Sequence, residues 1–162
     1  MNAGPALPPS RRLRRASAFG RVSVGMYGRV MMSVAEGPFD AELMAATRRA
    51  IALAGKRLPA DHRFADLLEI RGSLQMDADA LAQLRTSIDS FASRGLVALS
   101  TVFLVRPGIP GIERLPAMMD IWRASRPVRR ADSFDAAWAL VNADLAAAGL
   151  PTQAAPARPA PP

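Results

Sequence analysis

The sequence has no cysteine and only one histidine, His62, so whole classes of chemistry drop out at once. Disulfides, thiolate zinc sites, iron–sulfur clusters and cysteine nucleophiles are excluded. A zinc site gathers several His, Cys or carboxylate ligands, and one histidine in the loop Pro59-Ala60-Asp61-His62-Arg63 does not supply them. No Gly-x-Ser-x-Gly elbow presents a serine nucleophile. Asp66 and Glu69 stand three apart on one strand, hence on opposite faces, and form no catalytic dyad. Arg71-Gly72-Ser73 lies at a strand end but lacks the glycines of a phosphate loop. No catalytic or metal-binding set emerges, no cofactor is expected, and the chain reads as a non-enzyme. Long apolar runs are also missing. The strongest, Gly95 to Val105, falls far short of the ~20 residues of a membrane-spanning helix.

What is present is a folded composition, 50% hydrophobic and 22% charged over 162 residues, the size of about one domain. The net charge of +7 is unevenly spread. Removing Arg11, Arg12, Arg14, Arg15, Arg21 and Arg158 from the 21 basic residues leaves 15 against 14 acids, so the central segment is nearly neutral. Eight of the 14 prolines also lie near the two ends. Residues 1–20 therefore read as a disordered Arg/Pro-rich tail, 21–149 as one α/β domain, and 150–162 as a disordered Pro/Ala-rich tail. Ser10-Arg11-Arg12-Leu13-Arg14-Arg15 begins like a twin-arginine export signal, but Arg21 and Arg29 interrupt the apolar stretch that must follow. The expected location is cytoplasmic. Twenty arginines against the single Lys56 suggest a GC-rich bacterial source.

Val22–Met26 and Arg29–Ala35 are strand-like runs separated by Tyr27-Gly28, the spacing of a tight hairpin. Asp40 to Leu58 reads as an amphipathic helix with Arg48, Arg49 and Lys56 on its polar side. A short strand over Leu67–Ile70 follows, then a helix capped by Asp77 and ended by Gly95. Leu96 to Val105 reads as a strand buried on both faces, in which Ser100 and Thr101 are expected to bond neighbouring backbone groups. A third helix carries Ile112, Leu115, Met119 and Trp122. Pro127–Arg130 is an edge-strand candidate, and Ser133 caps a last helix that ends before Gly149. The spacing of Met31, Met32, Met118, Met119, Trp122 and Trp138 marks them as core. This order predicts a mixed sheet of four to five strands with an N-terminal hairpin and about four helices.

Over residues 20–148 the chain resembles STAS-type domains, the fold of bacterial anti-sigma-factor antagonists. The resemblance rests on the hairpin running into Glu36-Gly37-Pro38-Phe39-Asp40, the strand Leu67–Ile70 followed by a helix from Asp77, and the close Val128 to Leu140. In that family the second long helix opens on Asp-Ser-Ser-Gly-Leu, whose second serine a partner kinase phosphorylates. Met76-Asp77-Ala78-Asp79-Ala80-Leu81 keeps the aspartate and leucine, but Asp79 stands at the serine and Ala80 at the glycine. One carboxylate charge mimics the ~1.5 to 2 charges of phosphoserine only in part. Helix chemistry alone, with Asp77 as N-cap and Asp79 as a first-turn acid, accounts for both residues and is the preferred reading.

The resemblance implies a regulatory, partner-binding domain using Asp77, Asp79, Arg71, Ser73, Pro107, Gly108 and Gly111, with an anti-sigma-factor-like regulator as partner. The alternative expectation is a carrier of a small apolar ligand or lipid, in a pocket between the central strand and the Trp122 helix lined by Ser100, Thr101, Met119 and Trp122. A third is association with nucleic acid or an anionic membrane surface through Arg11, Arg12, Arg14 and Arg15.

Overall fold

The computed structural model describes residues 20–157 and the backbone of Arg15–Ala16. In chain order the elements are β1 (Arg15–Ala16), β2 (Arg21–Tyr27), β3 (Val30–Glu36), α1 (Ala41–Gly55), β4 (Ala65–Arg71), α2 (Ala78–Ser93), β5 (Thr101–Val105), a 3₁₀ turn (Ile112–Arg114), α3 (Leu115–Arg123), β6 (Val128–Ala131) and α4 (Phe134–Ala147). The strands form one mixed sheet in sequence order, antiparallel from β1 to β3 and parallel from β3 to β6. The α/β architecture, opening hairpin and four helices are those read from the sequence. Five strands are full length, and β1 adds two residues beside β2.

The hairpin turns on Gly28, whose φ of +57° suits a residue without a Cβ, and its register pairs Tyr27 with Val30. From β3 onward each strand is added on the same side of the last. Right-handed crossovers then bring α1, α2 and α3 to one face, leaving the other to α4, which connects no strands. The core divides accordingly. Ile70, Phe103 and Val105 pack with Leu43, Leu84 and Trp122 on the three-helix face. Leu67, Val102 and Leu104 pack with Trp138, Val141 and Leu145 on the other. All five residues of β5 are buried, as a strand covered on both sides requires. The strand is shorter than the apolar run suggests: it starts at Thr101, and 96–100 approaches the sheet as irregular chain, with Leu99 N donating to Phe64 O at 2.8 Å.

Helix ends follow local chemistry. Asp40, Asp77 and Ser133 accept from the backbone N–H three residues on, at 2.7, 2.7 and 3.3 Å. Gly95 and Gly149, with φ of +72° and +71°, follow α2 and α4. The chain does not leave the domain at 150. Leu150 packs on the α4 core, Trp138 Nε1 and Asn142 Nδ2 donate to Gln153 O at 2.9 and 3.0 Å, and Gln153 N donates back to Asn142 Oδ1 at 2.8 Å. Proline content suggested departure there, but the Asn142 side-chain amide, paired with the backbone N–H and C=O of Gln153, holds the segment against α4. Arg11, Arg12 and Arg14 lie outside the described residues, as does the Arg15 side chain. Among the described residues no helix is long and apolar enough to cross a membrane.

Candidate ligand cavity and the loop edge beside it

Alternate residues of a strand face one side, so β3 turns Met31, Ser33 and Ala35, and β4 turns Asp66, Leu68 and Ile70, toward α1 and α2. The helices do not close down on these side chains. Between them lies a cavity of about 300 Å³, walled by α1 at Met44, Thr47 and Ile51 and by α2 at Leu84, Ile88 and Phe91. Trp122 and Met118 of α3 complete one side. Trp122 is held edge-on to Phe103, with ring centroids 5.1 Å apart at 88°. Polar groups on the helical walls are turned inward on their own helices: Thr47 Oγ1 donates to Leu43 O and Ser87 Oγ to Gln83 O, both at 2.8 Å.

The cavity has two unlike ends. In the parallel register Met31 pairs with Asp66 and Ala35 with Ile70, so Asp66 marks the end where the strands start and Ile70 the end where they finish. The finishing end is apolar, lined by Ala35, Phe39, Ile70 and Met76. At the starting end stand Asp66, Arg126 from the α3–β6 turn, Lys56 after α1 and Arg94 after α2. Burial pushes the Asp66 carboxyl up to about 6, against the opposing pull of Arg126 and of the Thr101 hydroxyl, which donates at 3.2 Å. Burial likewise lowers Arg126, which is 9% exposed. The two make no contact ion pair.

Of the residues expected to line a pocket, Trp122 lines this one, whereas Ser100, Thr101 and Met119 do not. The cavity lies toward β2, β3 and β4, not between β5 and α3. Ser100 faces the other way: its hydroxyl donates to Asp144 of α4, which also pairs with Arg129. Thr101 spends its hydroxyl on Asp66. Both hydroxyls thus bond carboxylates instead of the backbone expected of them, because a half-buried acid sits within reach of each.

The residues expected to bind a partner gather at the opposite end of the sheet, where the parallel strands finish. Gly37 N donates to Arg71 O at 3.1 Å, Phe39 N to Gln75 O at 2.8 Å, and Leu74 N to Pro110 O at 2.7 Å, lacing three loops together. Gly111 packs on the backbone of this lacing, and Pro107 and Gly108 are exposed beside it. Ser73 is buried, its hydroxyl accepting from Gln75 N at 2.9 Å. Arg71 Nε donates to Glu69 at 2.8 Å, and Asp77 serves as cap, whereas Asp79 lies exposed on the first turn of α2. His62 is an exposed loop residue with φ of +54°, and its neighbour Asp61 pairs with Arg29 at 2.7 Å. That pairing holds Asp61 below the usual carboxylate range. Among the described residues no group of three His, Cys, Asp or Glu side chains suits a metal ion.

Sequence reasoning missed Asp66, Arg126, Lys56 and Arg94 as a group. The one available signal was an acid alternating with Leu68 and Ile70 on an otherwise apolar strand face. No family model matches the sequence, and no curated protein matches it.

Proposed function

We propose that the chain is a non-enzymatic binding domain that holds a small, largely apolar ligand between the sheet and α1–α2. The observation that carries this reading is the cavity of about 300 Å³ with apolar walls and one polar end. That volume is at the lower limit of the range typical of small-molecule sites, and a few placed polar groups in an apolar wall are what such sites use to orient a ligand. Close-packed cores leave few voids larger than a water molecule, so space on this scale among Leu, Ile, Met and Phe favours a guest over poor packing. The test is binding of a neutral apolar fluorophore, N-phenyl-1-naphthylamine, to the full chain. Saturable binding at one site, weakened at least tenfold by Thr47→Phe, supports the reading. No binding to a chain shown to be folded by circular dichroism sinks it.

A second reading keeps the resemblance to STAS-type domains and takes the chain as a bacterial, cytoplasmic regulatory domain that meets a protein partner at the start of α2. Its support is the lacing of the loops that carry Arg71, Asp77, Pro107 and Gly111 into one edge, with Asp79 exposed next to it. Capture of the same protein by wild type and by Asp79→Lys would remove Asp79 from that interface.

A further inference from the structure

The charges around the cavity are one-sided. Arg48, Lys56, Arg94 and Arg126 line it with a single acid, Asp66. Among the described residues Arg48, Lys56 and Arg94 form no salt bridge, although the central segment has almost as many acids as bases. Arg126 is 9% exposed, and its hydrogen bond is from Nε to Ser125 Oγ at 3.2 Å. The remaining donors of its guanidinium have no acceptor among the described residues. Those donors are not shut off from solvent, so an acceptor that enters the cavity can reach them. Because α1 and α2 both end where the strands begin, Lys56 and Arg94 stand at the same end as Arg126. Low-dielectric walls between such cations concentrate their field on an incoming anion.

We infer that the cavity takes a single-chain anionic amphiphile, with its head at the strand-start end among Arg126, Lys56 and Arg94 and its alkyl chain running toward Ile70 and Met76. This deepens the ligand-binding reading above and rests on it. The length of chain follows from two independent measures. At ~30 Å³ for a water-sized group, 300 Å³ holds about ten methylene-sized groups. From Asp66 to Ile70 the strand advances about 13 Å at ~3.3 Å per residue, a span of similar chain length. The head is a carboxylate or a phosphate, either of which a guanidinium can bind through two parallel hydrogen bonds.

Asp66 sets the direction of the pH response. Asp66 feels Arg126 from the α3–β6 turn and the neutral Thr101 from β5, and the other charged groups lining the cavity are Arg48 on α1, Lys56 after α1 and Arg94 after α2. An anionic head beside an ionised Asp66 places like charges together, so head binding favours the protonated carboxyl, and a permanently charged anion binds more tightly at pH 5.5 than at pH 8.

The experiment is displacement of N-phenyl-1-naphthylamine from the full chain by three decyl compounds: decanesulfonate, decanol and decyltrimethylammonium. The expected result is at least tenfold tighter binding of the sulfonate than of the ammonium, a sulfonate-to-decanol affinity ratio that falls about tenfold in Arg126→Gln, and a loss of pH dependence in Asp66→Asn. The exposed double variant Lys56→Glu/Arg94→Glu gives the same fall in ratio without touching a buried residue. Decanoate and decyl phosphate are run alongside; either one exceeding decanol tenfold names the head, and neither exceeding it overturns the inference. If the fluorophore binds but anion and cation displace it equally, the charge argument fails and the cavity reading stands. If the fluorophore does not bind a folded chain, both fail.

Discussion

Thr101 on β5 donates its hydroxyl hydrogen to Asp66 on β4 across directly paired positions, at 3.2 Å, and so holds a half-buried carboxyl at the edge of an apolar cavity. The Asp66 carboxyl titrates at about 6 in the folded chain, raised from 3.8 by burial. Between those values the folded chain keeps a proton that the unfolded chain has released. The stability this contributes is therefore complete below about pH 4 and lost as pH rises through about 6, on the order of 3 kcal/mol in all. Asp66→Asn removes this slope and leaves the chain more stable than wild type at pH 8. Urea midpoints measured from pH 4 to pH 8 check both statements.

Gly111 has φ of +81°, and a Cβ there would stand 2.9 Å from Leu74 C and 2.9 Å from Gln75 N, both backbone atoms. Gly111→Ala is expected to cost about 2 kcal/mol or more, adding a steric clash to the cost of a left-handed alanine. Gly95 has nearly the same φ, +72°, but open space around it. Gly95→Ala is expected to cost only about 1 kcal/mol. Thermal melts of the two variants separate the backbone effect from the packing effect.

Asp144 of α4 joins Ser100, at the entry to β5, to Arg129 on β6. Asp144→Ala leaves the Ser100 hydroxyl without its acceptor and Arg129 with Leu140 O but no counter-charge, and is expected to destabilise the chain by about 2 kcal/mol. Ser100→Ala, which removes one neutral donor, costs about half as much. Denaturant titration of the single and double variants gives the coupling between them.

Asp77→Ala removes the cap of α2 and is expected to cost about 1 kcal/mol, whereas Asp79→Ala, exposed on the first turn, stays within about 0.5 kcal/mol of wild type. A larger loss at Asp79 in a melting experiment contradicts a purely surface location.

The elements that could be read in advance are those whose signals are local. Asp77 and Ser133 announced their helices because capping depends on the next three residues, and Gly149 marked an end because only its own φ is at stake. The extent of β5 was not local. Leu96 to Ser100 have the composition of a strand, but pairing begins where Asp66 and Val128 meet Thr101, and those partners lie tens of residues away. Gln153 was lost for the same reason: its bonds to Asn142 span the end of α4 and follow no periodicity. The cavity is the extreme case. It is a space between two helices and a sheet, and no residue type records how closely helices approach. Asp66 was seen in the sequence, but it was weighed against Glu69 as a dyad and not against Leu68 and Ile70 as the odd member of an apolar row.

The sheet's two faces divide the labour of the molecule. On one, α4 packs against β4, β5 and β6 with Phe134 stacked on Trp138 at 5.6 Å, and the segment at Gln153 is tied back over it. On the other, α1 and α2 meet each other but stand off from β3 and β4, with the cavity beneath them. A molecule built in this way has a keel and a hold. Substitutions along α1 and α2 can reshape the space beneath them while the far side keeps the hull intact, so a change in the cavity need not come with loss of the scaffold.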